Sequence, residues 1–381
     1  MTELTELGQS EDQGTAPGQG TFIILGTEQA PETARWVAEG LRDLLDERGH
    51  THLEPSDTSP RFVLNVIDPN KPRGYRRRRQ ATFVMSVVEL DGPVEDPLRT
   101  GYPMMLRALS NLLLILDRSS ERLLAHFVTI EQGYYTVEYT PGEDRKFFEQ
   151  LYERFEPLAS SELVINNIFH EDLEPELWEG DDLTRQISDA GKKLDTLGLL
   201  PGPFPVEEIL GPQELRHVYL LYGLGGLSYG NLSARKDERR FWMSASGVNK
   251  SDLKEIGRDF LLVKNFDESR PAIELSVPPN VQPRRASVDA IEHWMIYQEH
   301  PDVGAIMHVH AWMDGIRATD INYPCGTREI AQSVADLIRQ EPNPGRAIIG
   351  QRNHGVTITG PSMDEILERI EGKLIPQVPM S

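Results

Sequence analysis

The sequence predicts an α/β protein with two domains. Short apolar runs that are typical of buried strands alternate with segments whose apolar residues recur at helical spacing. A length of 381 residues is enough to bury two hydrophobic cores. The acidic stretch at 171–184 contains proline and glycine, so it is predicted to be an exposed linker between the domains.

The first domain is predicted at 21–170, after a disordered tail at 1–20 that lacks apolar periodicity. Its strands are predicted from short apolar or β-branched runs at 22–25, 62–67, 82–90, 124–130, 134–139 and 163–169. Its helices are predicted from apolar stripes at 31–45, 102–117 and 144–156. This order predicts an α/β sandwich with helices on one face of a mixed sheet.

The first domain resembles no family that we recognise, so its family is unassigned. Gly26 follows the first predicted strand but belongs to no Gly-x-Gly-x-x-Gly run, so a dinucleotide site is not predicted. The basic stretch at 71–79 is predicted to be a solvated loop, with anion binding as the alternative. Regulatory, oligomer-forming and partner-binding roles all stay open for this domain.

Composition restricts the possible partners and the compartment. A formal net charge of −21 disfavours nucleic acid, because a polyanion would be repelled. The single cysteine, Cys325, excludes an intramolecular disulfide and is typical of a reducing compartment. The longest apolar run, at 112–116, is far shorter than the ~20 residues that a membrane span needs. We therefore expect a cytoplasmic protein with no signal peptide, no membrane span and no nucleic-acid partner.

In the second half, helices predicted at 183–197 and 213–222 lead to a Gly-rich approach to Asn231. Further along, His308 and His310 end an apolar run, and side-chain alternation places them on the same side of one strand. His354 stands between residues that favour a turn and can complete a site of three nitrogen ligands. Three protein ligands leave a coordination position open, as in catalytic zinc sites.

An acidic residue precedes this strand. Asp289 lies at the start of a predicted helix, for which Ser287 is the predicted N-cap. Because the helix leads back to the strand of His308, the Asp289 carboxylate could ligate a metal or take a proton from carbon beside a metal-bound carbonyl. His293 is predicted to pack within the helix without a metal role.

From about 185 to 375 the sequence resembles the class II aldolase/adducin family. Six blocks occur in the family's order: GNLSAR at 230–235, SASGV at 244–248, ASVD at 286–289, PDVGAIMHVH at 301–310, GTRE at 326–329 and RNHG at 352–355. The resemblance implies a class II aldolase-like α/β/α layered domain at 185–381. Any one block alone would be a weak match, whereas six in order are specific.

The resemblance also implies site residues. The implied ligands of Zn²⁺, or of another divalent metal, are His308, His310 and His354. Asp289 matches the family's catalytic acid/base. The implied phosphate-binding positions are Asn231, Ser246, Gly247 and Ser287. Val288 departs from the family's second serine, and the C-terminal tyrosines of some members are not expected before the end at Ser381.

The implied function is that of a metal-dependent lyase of the class II aldolase type. It would act on a small sugar phosphate or hydroxyketone through a zinc-stabilised enediolate. Sugar-phosphate 4-epimerisation, dehydration and decarboxylation stay as alternatives on the same site. A non-catalytic adducin-like assembly module is a further alternative, which the retained histidines disfavour. The family also implies a homo-oligomer, usually a tetramer.

Each block has an ordinary structural interpretation when it is taken alone. His308 and His310 could be sheet histidines, and the segments at 230–231 and 246–247 could be simple turns. Only the agreement of all six blocks favours the metal site over these interpretations.

Overall fold

The computed structural model describes residues 20–54, 60–77, 82–119, 122–129, 133–197, 211–212, 230–376 and 378–380. A seven-stranded sheet forms the first half. Its strands are β1 Thr21–Leu25, β2 Thr51–His52, β3 Phe62–Val66, β4 Phe83–Leu90, β5 Leu112–Asp117, β6 Leu124–Thr129 and β7 Gly133–Glu138. The spatial order is β2-β1-β3-β4-β5-β6-β7, with parallel pairing from β2 to β5 and antiparallel pairing from β5 to β7. The predicted mixed sheet is confirmed.

Three helices accompany this sheet: α1 Glu32–Glu47, α2 Pro97–Arg107 and α3 Asp144–Ser160. The apolar stripe of α1 packs with α3 against one face of the sheet, which includes Leu114. Met105 of α2 lies in a separate core with Leu113 and Ile115, the residues of β5 that point to the opposite face. The prediction of helices on one face only was therefore wrong, because β5 is apolar on both faces and each face is covered.

The predicted helix at 102–117 was also wrong in its second half. Helix α2 ends at Arg107, and Leu109 takes a left-handed conformation with φ 56° before β5 begins at Leu112. A continuous apolar run fits a strand buried on both faces as well as it fits a buried helix, so periodicity could not separate them.

The second half is built on a nine-stranded sheet. Its strands are β8 Asn166–His170, β9 Gly230–Arg235, β10 Phe241–Ser244, β11 Phe260–Asp267, β12 Ala272–Ser276, β13 Ala305–Val309, β14 Arg317–Ala318, β15 Ile348–Gln351 and β16 Gly355–Gly360. The order is β14-β15-β16-β13-β9-β10-β11-β12-β8. The helices described here are α4 Asp182–Thr196, α5 Ala290–Glu299, α6 Arg328–Arg339 and α7 Met363–Ile370. Helices α4 and α7 contact each other, as do α5 and α6, and together with the sheet they form an α/β/α arrangement.

Strand β8 joins the two halves. The sequence predicts 163–169 as a strand of the first domain, but β8 pairs in parallel with β12 of the second sheet. Just before it, Leu163 forms a bridge with Thr327, and Arg328 N donates to Glu162 O at 2.9 Å. The linker predicted at 171–184 includes a short 3-10 turn, Pro175–Leu177, and the beginning of α4. The domain boundaries themselves stay a prediction.

The tail predicted at 1–20, except for Gly20, and the helix predicted at 213–222 lie outside the described residues. The helix predicted at 183–197 is confirmed as α4. Within the described ranges, no helix combines the length and apolar character needed to cross a bilayer.

Candidate metal centre

Two neighbouring elements bring the three histidines together. Strand β13 pairs antiparallel with β16, and His308 lies opposite Thr357. His354 occupies the turn that joins β15 to β16, where Asn353 adopts a left-handed conformation with φ 58°. At Gly355 an added Cβ would lie 2.4 Å from the backbone oxygen of Val309. The glycine therefore allows the turn to approach the end of β13.

The histidine side chains form a compact cluster. One candidate ligand atom from each of His308, His310 and His354 lies within 4.8 Å of the others. The Nε2 atoms of His308 and His354 are 3.1 Å apart, and the ring centroids of His310 and His354 are 4.5 Å apart. His308 and His354 are buried, whereas His310 is partly exposed.

Burial keeps the three rings neutral. It lowers the pKa of His310 to about 4 and holds the pKa of His308 and of His354 well below the usual range, with neighbouring imidazoles adding to the effect in both. Neutral imidazoles offer lone pairs, and Zn²⁺ is a cation for which three of them are a suitable donor set. The described residues at this position therefore fit a divalent metal.

Asp289, which Asn231 links to the strand of His308, lies at the N-cap position of α5. Its Oδ2 accepts a hydrogen bond from Asn231 Nδ2 at 2.6 Å and a longer one from Ser287 Oγ at 3.5 Å. Burial raises the pKa of Asp289 to about 6, although Asn231, Ser287 and Lys250 act in the opposite direction. A carboxyl group with this pKa can exchange a proton near neutral pH.

The predicted N-cap was wrong by two residues. Asp289 takes that position, and the Ser287 hydroxyl points to Asp289 instead of to the helix amides. The backbone oxygen of Ser287 still accepts from Ala290 N at 3.1 Å, so Ser287 supports the first turn through its main chain.

The residues assigned to the phosphate pocket fall into two groups. Asn231 is buried, pairs with His308 in the sheet and uses its Nδ2 for Asp289. Ser246 and Gly247 lie in the turn after β10, where Gly247 has φ 65°. A bridge from Ala245 to Ala286 places this turn beside Ser287. The structure thus brings the serines together, and it links Asn231 to the acid and to the histidine strand.

His293 lies on the same helix as Asp289. Its Nδ1 is 2.7 Å from Ser233 Oγ, which in turn is 2.9 Å from the hydroxyl of Tyr297. Burial lowers the pKa of His293 to about 3. These contacts are those of a packed helix histidine, as the sequence predicts.

Two residues near the site were missed from the sequence. Lys250 is buried, and its Nζ donates to the backbone oxygens of Ala245 at 2.9 Å and Val248 at 3.4 Å. Burial lowers the pKa of Lys250 to about 7. Cys325 Sγ lies 3.2 Å from Nε2 and 3.3 Å from Nδ1 of His354. Lysine three positions after Ser-Gly was visible in the sequence, but its burial under the turn was not.

Comparison with known proteins gives the family of this region. Residues 213–319 match the model of the Class II Aldolase and Adducin N-terminal domain. The chain is 27% identical over 180 residues to the methylthioribulose-1-phosphate dehydratase of Leptospira biflexa. This match covers 44% of this chain and 77% of that protein. It is 37% identical over 92 residues to the enzyme of the same name from Microcystis aeruginosa, covering 24% of this chain and 40% of that protein.

Solved structures are similar to about half of the chain. An L-fuculose 1-phosphate aldolase has 18% identity and a TM-score of 0.35, covering 50% of this chain and 82% of its own. YgbL from Klebsiella pneumoniae, a putative aldolase/epimerase/decarboxylase, has 18% identity and a TM-score of 0.34, and the match covers 50% of this chain and 83% of YgbL. On the family-model match, the C-terminal half of the chain contains a class II aldolase domain.

Proposed function

We propose that the class II aldolase domain of this chain is a metal-dependent lyase that removes water from a small phosphorylated ketose. The observation that carries this proposal is the connection of Asp289, a buried acid with a pKa of about 6, to the histidine cluster through Asn231. An acid/base group and three neutral metal ligands are what proton abstraction beside a carbonyl requires.

The metal would be held by His308, His310 and His354, and Zn²⁺ is the first candidate. When bound, a divalent cation supplies Lewis-acid chemistry that polarises a substrate carbonyl. The chain's own part is to present three neutral imidazoles from the end of β13 and from the turn between β15 and β16.

Asp289 would take the proton from the carbon next to the carbonyl. The electrons of that C–H bond form a carbon–carbon double bond as the C–O bond at the following carbon breaks. The departing oxygen takes up the proton that Asp289 removed and leaves as water, which returns Asp289 to its carboxylate form. Asn231 Nδ2 holds the Asp289 carboxylate in place at 2.6 Å. We therefore assign Asn231 to positioning the acid and not to phosphate binding.

Ser246, Gly247 and Ser287 would bind the substrate phosphate. Hydroxyl and backbone N–H groups are suitable donors to phosphate oxygens. Ser246 and Ser287 lie on adjoining segments that are joined by the bridge between Ala245 and Ala286. The buried ammonium of Lys250 lies under the same turn and would add positive charge.

Dehydration is favoured over aldol cleavage by sequence similarity. The match of 180 residues spans 77% of a protein named methylthioribulose-1-phosphate dehydratase. Retro-aldol cleavage of a sugar phosphate is the second candidate, because it begins from the same polarised carbonyl. We also propose that the chain is a homo-oligomer, as is usual in this family.

The test is a product assay on the full-length, Zn²⁺-loaded protein. Methylthioribulose 1-phosphate and L-fuculose 1-phosphate would be supplied separately, and mass spectrometry would detect either loss of one water or cleavage into two fragments. Asp289→Asn is the matched control, because it keeps the shape of the acid and removes its basicity. Turnover of the first substrate that survives in Asp289→Asn would contradict the assigned acid/base. Cleavage of the second substrate alone would replace dehydration by aldol cleavage.

A further inference from the structure

Glu292 is a buried carboxylate whose role the proposed mechanism does not explain. It lies on α5, one turn after Asp289, and its side chain is completely buried. One oxygen accepts from Thr357 Oγ1 at 2.5 Å and the other from Gln351 Nε2 at 2.8 Å. Both donors are neutral. The effects on its pKa come from burial, from Asp289 and from these two donors.

An unpaired buried carboxylate is unfavourable, because neutral donors replace only part of its hydration. Burial raises the pKa of Glu292 well above its usual range, and the neighbouring Asp289 raises it further. A negative charge at this position is therefore favoured only when positive charge lies close by. Among the described residues, a divalent cation fits at the histidine cluster, to which the partners of Glu292 connect.

The partners of Glu292 lead directly to that cluster. Thr357 lies opposite His308 in the sheet, and its Oγ1 is 3.4 Å from His308 Nδ1. Gln351 ends β15, and its backbone oxygen accepts from His354 N at 3.0 Å. Gln351 Nε2 also donates to Thr357 Oγ1 at 2.9 Å. Glu292 thus holds both strands of the hairpin that carries His354.

We propose that Glu292 is a positioning residue of the metal centre, which acts through Thr357 and Gln351 and favours a divalent cation by its buried charge. This inference rests on the proposed metal-dependent function. The Thr357 hydroxyl donates its hydrogen to Glu292, so the oxygen of Thr357 presents a lone pair to His308 Nδ1. This arrangement favours the His308 tautomer that carries its hydrogen on Nδ1. Nε2 of His308, 3.1 Å from Nε2 of His354, is then free to bind metal.

The test is Zn²⁺ affinity of the full-length protein, measured by competition with a chromophoric chelator. Glu292→Gln removes the charge with little change of shape, and Thr357→Val removes the hydroxyl link. Each should weaken Zn²⁺ binding by roughly ten- to a hundredfold, the range typical of groups that support metal ligands. Glu89→Gln is the matched control, because Glu89 is a buried carboxylate of the first sheet, and this variant should bind as wild type does.

The Zn²⁺ affinities of these variants distinguish a failure of the Glu292 role from a failure of the proposed metal-dependent function. If Glu292→Gln binds Zn²⁺ as tightly as wild type while His308→Ala loses it, the role of Glu292 is refuted and the metal site stands. If wild type itself binds no Zn²⁺, both are refuted. Should Glu292→Gln not fold, Thr357→Ser and Thr357→Val carry the test. The serine variant should bind near wild type and the valine variant weakly, and equal affinities would overturn the proposal.

Discussion

Asn231 donates its side-chain amide to the Asp289 carboxylate at 2.6 Å, while its backbone pairs with His308 on the neighbouring strand. A single residue thus relates the candidate acid/base to the strand that carries His308. The strand register fixes this relation, because residue 231 can lie opposite residue 308 only while β9 and β13 keep their pairing.

Asn231→Ala should shift the pH profile of the enzyme. The Asn231 hydrogen bond lowers the pKa of Asp289, so its removal raises that pKa, and the acidic limb of kcat/KM should move to higher pH. Activity near pH 7 should fall by roughly ten- to a hundredfold, as expected for loss of a hydrogen bond to a charged group. Ser287→Ala, which removes the longer 3.5 Å contact to Asp289, should lower kcat/KM at every pH through the phosphate and shift the limb less. An unmoved limb in Asn231→Ala would argue against Asp289 as the titrating base.

Purified protein should contain about one divalent ion per chain, since the cluster offers one set of three nitrogen ligands. His308→Ala and His310→Ala should each lose most of it and remain folded. His170→Ala, on β8 at the far edge of the sheet, is the control and should keep its metal. Elemental analysis after gel filtration measures all four proteins. Full occupancy in both cluster variants would exclude the assigned ligands.

Lys250→Met should change how stability depends on pH. Unfolded Lys250 stays protonated up to its ordinary pKa of 10.5, whereas the folded residue loses its proton at about 7. Between these values the unfolded state binds more protons, so this residue makes stability rise with pH. Below pH 7 Lys250 is protonated in both states, and the full free-energy cost of burying its charge lowers stability. The difference in Tm, variant minus wild type, should be more positive at about pH 6 than at about pH 9.5. Scanning calorimetry measures it, and a difference that does not change with pH would contradict a buried, titrating Lys250.

Truncation should distinguish two positions for the start of the second domain. A chain that begins near 180 lacks β8 and leaves β12 as an unprotected edge, which favours aggregation. A chain that begins near 161 keeps β8 and the pairing with Thr327, and it should remain oligomeric and bind metal. Light scattering measures the oligomeric state of each chain, and elemental analysis measures its metal content. Equal behaviour of the two chains would mean that β8 contributes little to the second sheet.

The part of the site that follows from local geometry could be predicted from the sequence. Strand alternation places His308 and His310 together, and a turn between Asn353 and Gly355 supplies His354. Asp289 was found because it starts a helix that returns to their strand. What could not be predicted depends on contacts between distant segments. The side-chain partner of Asn231 lies 58 positions away.

In the fold, too, the features that depend on local sequence could be predicted and those that depend on tertiary contacts could not. Helix α4 follows from its apolar spacing and the capping residues at its start. Strand β5 was missed, because Leu112 to Leu116 are buried on both faces and show no period of two. The sheet to which β8 belongs is a tertiary property, since nothing in 166–170 alone selects β12 as its partner.

The pairing of β8 has a consequence for chain cleavage. Because the acidic stretch at 171–184 follows β8, a protease that cuts there separates the polypeptide after a strand that already belongs to the second sheet. The five pairs between Ala272 and Ser276 on one side and β8 on the other would still join the two fragments without a covalent bond. The halves of this protein should therefore behave as a self-complementing pair, which elutes as one species and separates only under denaturing conditions.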